Sequence, residues 1–231
     1  MQEIEGGMLS PAAAAKRIHN TLLVAREGLI FIGSGVALAG VSLVLSVLPL
    51  VLLFSLLTLF AVYFFRDPAR SSQADEKSVL TPADGRIVEA APAKYPLGPG
   101  GESAFKVSVF MSVFDVHVNR IPVAGKISSV TYFPGKFLVA SLDKASEQNE
   151  RNAVTLHTQD GRKVVIVQVA GLIARRIACW VMQGDDVQAG QRFGLIRFGS
   201  RLDVYLPADS RVTAAPGQRV RAGETVIGHL S

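Results

Sequence analysis

One cysteine, one tryptophan and four histidines stand among the 231 residues of this chain. A lone thiol, Cys179, allows no disulfide within the chain, so the fold must be held by its core, and a chain of this length can bury a sufficient one. The setting Ile177-Ala178-Cys179-Trp180 makes Cys179 a small buried hydrophobe, and its solitude fits a reducing compartment. His19, His117, His157 and His229 share no ligand spacing, so no metal centre is expected. Also missing are the G-x-S-x-G elbow, the phosphate-binding loop and the dinucleotide fingerprint, which removes several common hydrolase and nucleotide-binding classes. No nucleic-acid partner is expected.

The longest absence is one of polarity. From Gly28 to Phe65, 38 residues, there is no charged side chain, histidine or side-chain amide. About 20 helical residues cross a bilayer core, so the run is nearly twice too long for one span. A cleaved signal peptide would carry an apolar region of roughly 7–15 residues close to the start, whereas 27 residues precede this one. A single tilted span would leave many apolar residues in water. The run is therefore read as a hairpin of two short helices, broken near Ser46 to Pro49, where proline removes a backbone donor and restricts the residue before it. Lys16, Arg17 and Arg26 precede the run and Arg66 and Arg70 follow it, which favours keeping both ends in the cytoplasm. Gly33, Gly35 and Gly40 offer places for close packing of the two helices.

The chain thus divides into a cytoplasmic N-terminal segment (1–27), a membrane anchor (28–65), a polar linker (66–77) and one further domain (78–231). Three of the 24 basic and three of the 19 acidic residues precede Arg66, leaving 21 against 16 beyond it, so the domain carries the whole net charge of +5. Such a surface is drawn towards anionic headgroups.

Past the linker, short Val- and Ile-rich runs alternate with Gly, Pro and Asp turns: Arg86 to Ala90, Phe105 to Val113, Lys126 to Phe133, Ala153 to His157, Lys163 to Val169, Arg176 to Met182, Leu202 to Leu206 and Thr225 to Leu230. That spacing predicts a mainly β domain; only Phe137 to Asn149 has some helical character. Pro82-Ala83-Asp84-Gly85-Arg86-Ile87-Val88 is echoed by Pro122-Val123-Ala124-Gly125-Lys126-Ile127-Ser128, and more loosely by Pro207 to Val212. Gly184 and Gly190 form a pair with the same spacing as Gly217 and Gly223. These are turn elements of a duplicated barrel-sandwich, with glycines for positive φ. The lysine that carries lipoyl or biotin in such domains has no counterpart.

Few residues here suggest chemistry. Ser200 sits between Arg197-Phe198-Gly199 and Arg201-Leu202-Asp203, and Asp84 lies in an Asp-Gly turn; either is an ordinary turn residue when taken alone. In Asp115-Val116-His117-Val118-Asn119-Arg120, strand alternation puts Asp115, His117 and Asn119 on one face, which would be solvated or line a site.

Several segments together resemble the short type of phosphatidylserine decarboxylase. They are Phe64-Phe65-Arg66-Asp67-Pro68, Thr81 to Gly85, Asp115 to Pro122, Pro134 to Phe137, Glu150-Arg151-Asn152, Gln168 to Gly171, Ala174 to Ile177 and Phe198-Gly199-Ser200-Arg201, in order from Phe64 to near the C-terminus. The long type carries a second histidine three residues after the one matched by His117; Arg120 stands there instead. The resemblance implies a zymogen that cuts itself between Gly199 and Ser200. In that scheme Ser200 Oγ attacks the Gly199 carbonyl, with His117 as base and Asp84 as its orienting carboxylate, and residue 200 becomes a covalent pyruvoyl cofactor. The two chains would stay associated. The pyruvoyl group would form a Schiff base with phosphatidylserine in the membrane and release carbon dioxide and phosphatidylethanolamine, acting as an electron sink. Arg175, Arg176 and Arg201 are candidates for the lipid phosphate or carboxylate, and a homo-oligomer stays open. Two alternatives remain at this point: a carrier or phosphotransfer module using His117 or His157, and a non-catalytic membrane adaptor.

Overall fold

The computed structural model describes residues 23–72, 74–97, 101–136, 149–171, 177–197 and 200–231. The apolar run folds as two helices, α1 (Leu29–Val44) and α2 (Leu48–Phe64), preceded by a 3-10 turn at Arg26–Gly28. Between them Ser46 takes a left-handed φ of 57°, and Pro49 lies in the first turn of α2, where a missing N–H is harmless. Ser42 and Thr58 donate their hydroxyls to the carbonyls of Leu38 and Phe54, each at 2.7 Å, so neither needs water. Of the three glycines, only Gly35 meets the other helix; a Cβ there would collide with Thr58, whereas Gly33 and Gly40 have open space. Val44, Leu48, Leu52, Leu56 and Leu59 are all more than three-fifths exposed. Both ends of the hairpin return to one place: the Ala25 N–H donates to the Phe65 carbonyl at 2.8 Å, and the Asp67 N–H to the Leu23 carbonyl at 2.7 Å.

The domain beyond the linker is built mainly of strands: β1 (Ser78–Leu80), β2 (Gly85–Lys94), β3 (Ser103–Met111), β4 (Val118–Arg120), β5 (Gly125–Phe133), β6 (Arg151–His157), β7 (Lys163–Val169), β8 (Ile177–Cys179), β9 (Asp186–Val187), β10 (Arg192–Ile196), β11 (Ser200–Pro207), β12 (Arg211–Val212), β13 (Arg219–Val220) and β14 (Val226–His229). The fold is mainly β, with an apolar helical segment before it. An eight-stranded sheet runs β13-β2-β3-β11-β7-β6-β5-β9, and two three-stranded sheets run β1-β14-β12 and β4-β10-β8.

This order reads alike from both ends, which gives the echoes of the sequence a structural meaning. β2 opens at Gly85 and pairs with β13, as β5 opens at Gly125 and pairs with β9. The Gly217 N–H donates to Ile87 and the Gly184 N–H to Ile127, both at 2.8 Å; the Gly223 N–H donates to Thr81 and the Gly190 N–H to Ile121. All four of these glycines have φ between 71° and 93°, where a side chain would be strained. One repeat therefore consists of β1–β3 with β11–β14, and the other, β4–β10, is inserted into it. The chain crosses between repeats twice, once after β3 and once before β11. Between the sheets, Val107, Val109, Ile127, Leu156, Ile166, Phe193, Leu202 and Val204 form the main core, each no more than 1% exposed.

The helical character read for Phe137 to Asn149 falls outside the described residues apart from Asn149, which bridges to Lys136. Among the described residues of Arg66 to Lys77 there is no helix or strand, yet the first half is built in. The Asp67 side chain is fully buried, accepting from Arg192 Nε at 2.7 Å with Arg120 at 3.7 Å. Arg120, standing where the long type has histidine, donates to the carbonyls of Gly190 and Pro68. Burial pulls its guanidinium down to about 10, aided by the charge of Arg192. Removing one member of such a buried cluster leaves charge without compensation, so Asp67→Ala is expected to lose about 3–5 kcal/mol. Urea unfolding in detergent measures it; a loss under about 1 kcal/mol would put the cluster in the class of surface pairs.

Candidate active site

The two crossings between repeats meet at one end of the large sheet. Ser200, first residue of β11, lies opposite Met111, last residue of β3. From Met111 the chain turns through residues 112–117 into β4. Asp115 does not share a strand face with His117, as alternation suggested. Its carboxylate accepts from Ser112 N–H at 2.8 Å and Ser112 Oγ at 2.7 Å, closing a tight turn. That turn aims the imidazole inward, and His117 is fully buried.

His117 Nδ1–H donates to the Asp115 carbonyl at 3.0 Å. A carbonyl can only accept, so the proton belongs on Nδ1 and the lone pair on Nε2. Burial pushes the imidazole down to about 4, against the opposing pull of the Asp115 carbonyl and the Asp115 and Asp84 charges. The ring is neutral at physiological pH and can take a proton at Nε2.

Nε2 is buried without a hydrogen-bond partner among the described residues, and so is Ser200 Oγ. Buried polar atoms are nearly always satisfied, and exceptions call for a reason. Here one is a proton acceptor and the other a proton donor.

A chain of amides supports this end of the sheet. Asn152 Nδ2 donates to Gln168 Oε1 at 3.0 Å, Gln168 Nε2 to Asn119 Oδ1 at 2.8 Å, and Asn119 Nδ2 to the His117 carbonyl at 3.3 Å. All three amides are buried. Such a network is rigid only when every member is satisfied.

The fold scatters the other residues singled out from sequence. Asp84 is gripped by the Arg70 fork at 2.6 and 2.8 Å and accepts from the Ala222 N–H at 2.8 Å. No hydrogen bond joins it to His117 among the described residues; the Asp115 carbonyl orients the ring, and Asp84 acts on it through space. Arg201 points to the opposite face of β11 from Ser200. It is 1% exposed and paired with the equally buried Asp203 at 2.9 Å. Gly199, Arg175 and Arg176 lie outside the described residues. His157 ends β6 at the far side of the sheet. Sequence reasoning gave Asn152 and Gln168 no role, although both lie in segments that carry the resemblance, and it took Arg70 only as a charge flanking the apolar run.

A buried hydroxyl and a buried imidazole lone pair, each without a hydrogen-bond partner among the described residues, stand on the two segments where the chain crosses between repeats. The comparisons specify the chemistry. Residues 57–228 match the sequence model of phosphatidylserine decarboxylase. The chain is 47% identical over 207 residues to a phosphatidylserine decarboxylase proenzyme of Desulfotalea psychrophila, covering 90% of this chain and 96% of the relative. It is 46% identical over 211 residues to one from Syntrophus aciditrophicus, covering 89% and 96%. With one from Cereibacter sphaeroides it shares 50% over 210 residues, 89% of each. The protein is a decarboxylase. It belongs to the phosphatidylserine decarboxylase family.

Proposed function

We propose that this chain converts phosphatidylserine to phosphatidylethanolamine and carbon dioxide, using a pyruvoyl group that it makes by cutting itself between Gly199 and Ser200. The observation that carries this is a buried Ser200 hydroxyl and a buried His117 Nε2, both without a hydrogen-bond partner among the described residues, on the two segments where the chain crosses between repeats. A serine hydroxyl becomes a useful nucleophile only when a neighbour takes its proton.

The cut proceeds by exchange of bonds within the chain. Ser200 Oγ attacks the Gly199 carbonyl while His117 Nε2 accepts the hydroxyl proton. The Gly199–Ser200 C–N bond breaks, the proton passes to the freed amine, and an ester remains. Removal of the Ser200 α-proton then expels the Gly199 carboxylate, and the resulting dehydroalanine takes up water and releases ammonia. Asp84 and the Asp115 carbonyl hold and bias His117 for this work.

The surroundings of Ser200 fit the ketone that results, because β11 fixes residue 200 within the sheet, and no described residue hydrogen-bonds the oxygen that leaves. Once present, the pyruvoyl group supplies an electron-withdrawing carbonyl for the electrons released with carbon dioxide. Through Nε2, His117 would then relay a proton to the product carbon. Headgroup recognition is assigned to Arg175 and Arg176, while Arg201 serves as a buried partner of Asp203.

The apolar hairpin gives a reason for the lipid substrate. Its helices, of 16 and 17 residues, rise about 24 and 26 Å, somewhat short of a bilayer core of about 30 Å. They would enter the membrane with both ends on the catalytic, cytoplasmic side and hold the centre at the headgroup plane. Intact mass of the purified protein tests the central claim. Two polypeptides are expected, the smaller comprising 32 residues from position 200 and lacking a free amino terminus. A single unbroken chain would end it.

A further inference from the structure

A tether needs only length, yet the exit of the apolar hairpin is fastened to the loop that bears His117. Tyr63 Oη donates to the Phe114 carbonyl at 3.0 Å, and Arg66 Nη2 donates to the same oxygen at 2.7 Å. Arg66 is braced in turn, its guanidinium 3.9 Å from the Tyr63 ring centroid and its Nη1 donating to the Tyr63 carbonyl. Between these two anchors Phe64, 1% exposed, lays its ring over the imidazole of His117, with centroids 4.1 Å apart and planes inclined by 33°.

Behind this contact the joint is solid. Phe65 stacks on Phe31 at 5.5 Å and fills the space left by Gly28, where any Cβ would strike it. Trp180 Nε1 donates to Glu27 at 2.8 Å. Ala25, Phe64, Phe65, Val116, Val118 and Leu195 make a small core of their own, separate from the core between the sheets. On the side of the cleavage segment, the Arg197 guanidinium lies 5.5 Å from the Phe31 ring. Both chain crossings are therefore touched by the base of the hairpin.

We propose that the exit of the hairpin is a working part of the active centre, with Phe64 a positioning residue that holds the His117 ring in place and keeps water from it. The proposal rests on His117 being the base of self-cleavage. An aromatic face against an imidazole restricts its rotation without offering it a hydrogen bond. The Nδ1–H is thereby left to the Asp115 carbonyl and the lone pair to the serine. The charged groups acting on the ring are Asp115 in its own loop, Arg66 at the hairpin exit and Asp84 in the turn before β2. Truncating Phe64 removes none of these charges, so a change in titration would report water entering beside the ring. Self-cleavage then requires a docked hairpin, and a precursor whose anchor has not yet settled stays uncut.

The test uses full-length precursor synthesised cell-free into detergent micelles, with cleavage followed on denaturing gels from pH 4 to 8. Phe64→Ala is expected to cleave ten- to a hundredfold more slowly at pH 7, the scale of a misplaced catalytic group. Its acid midpoint should rise by about one unit or more, towards the ordinary histidine value. Phe64→Leu, which restores apolar cover without the flat ring, should recover part of the rate and shift the midpoint less. Leu59→Ala, on the exposed face of the same helix, should match wild type. Wild-type rate and midpoint in Phe64→Ala would overturn the proposal. If that variant fails to fold, the same two readings on Phe64→Leu decide: both changed supports it, neither changed overturns it. His117→Ala runs alongside. Normal cleavage there removes the underlying base assignment, whereas an uncut His117→Ala beside a wild-type-like Phe64→Ala removes only the role of Phe64.

Discussion

Ser200→Ala should remain one polypeptide of 231 residues, without decarboxylase activity, and should fold at least as stably as the wild-type precursor. Both halves of this expectation come from the same buried atom. Without Oγ there is no nucleophile for the Gly199 carbonyl, hence no ester, no elimination and no ketone. The hydroxyl has no hydrogen-bond partner among the described residues, so its deletion strands no other group and relieves an unsatisfied one. Loss of function without loss of fold is the distinguishing signature. Intact mass, a thermal melt and carbon dioxide release from phosphatidylserine vesicles measure the three parts. A cleaved Ser200→Ala product would require another nucleophile, and an uncut but active one would sever the ketone from the reaction.

His117→Ala should slow self-cleavage by roughly 10²–10⁴, the usual worth of a positioned base. The pH dependence carries the sign. Because neutral imidazole is the working form and burial brings it to about 4, wild-type cleavage should hold level well below pH 6.5 and fall only near pH 4. Stability moves with it. The unfolded chain binds a proton near the ordinary histidine value and the folded chain does not until about 4. Acidification across that window therefore favours unfolding, by on the order of 3 kcal/mol at full extent. His117→Ala lacks this term, so wild type should lose unfolding free energy relative to the variant on going from pH 7 to pH 4.5. A constant difference would mean that the imidazole is charged in the folded state. Cleavage of His117→Ala at the wild-type rate would dismiss it as the base.

Much of this architecture was written in simple patterns. The hairpin declared itself by the absence of any charged or amide side chain, and its break fell at Ser46 and Pro49. The repeats announced themselves through glycines that the turns require. Shorter strands went unread: β9, β12 and β13 have two residues each, too few for alternation to register, and β10 holds Gly194, which packs against the Ala178 carbonyl. Asp115 was misplaced because a turn closed by Ser112 leaves the same local composition as a strand. Arg201 was offered to the headgroup because the planar fork of arginine suits a phosphate or a carboxylate. Nothing local reveals that β11 is buried on both faces, with Leu202, Val204 and Leu206 in the main core and Tyr205 in a second apolar cluster with Tyr95, Val165 and Val167. The pairing of Arg70 with Asp84 and the seat of Phe64 on His117 join residues 14 and 53 positions apart, which only the closed fold brings together.

The interleaving of the repeats determines what the proposed cut would leave behind. β11 lies between β3 and β7, so severing the chain at its start yields two interlocked polypeptides rather than a nicked loop. Neither can depart without dismantling a sheet that both of them build. Two fragments made separately and mixed could recover the shape, but the shorter would begin with an ordinary serine amine. In the proposed scheme the ester that eliminates towards the ketone forms only by attack on an intact peptide bond, and so the two partners have to be born as one.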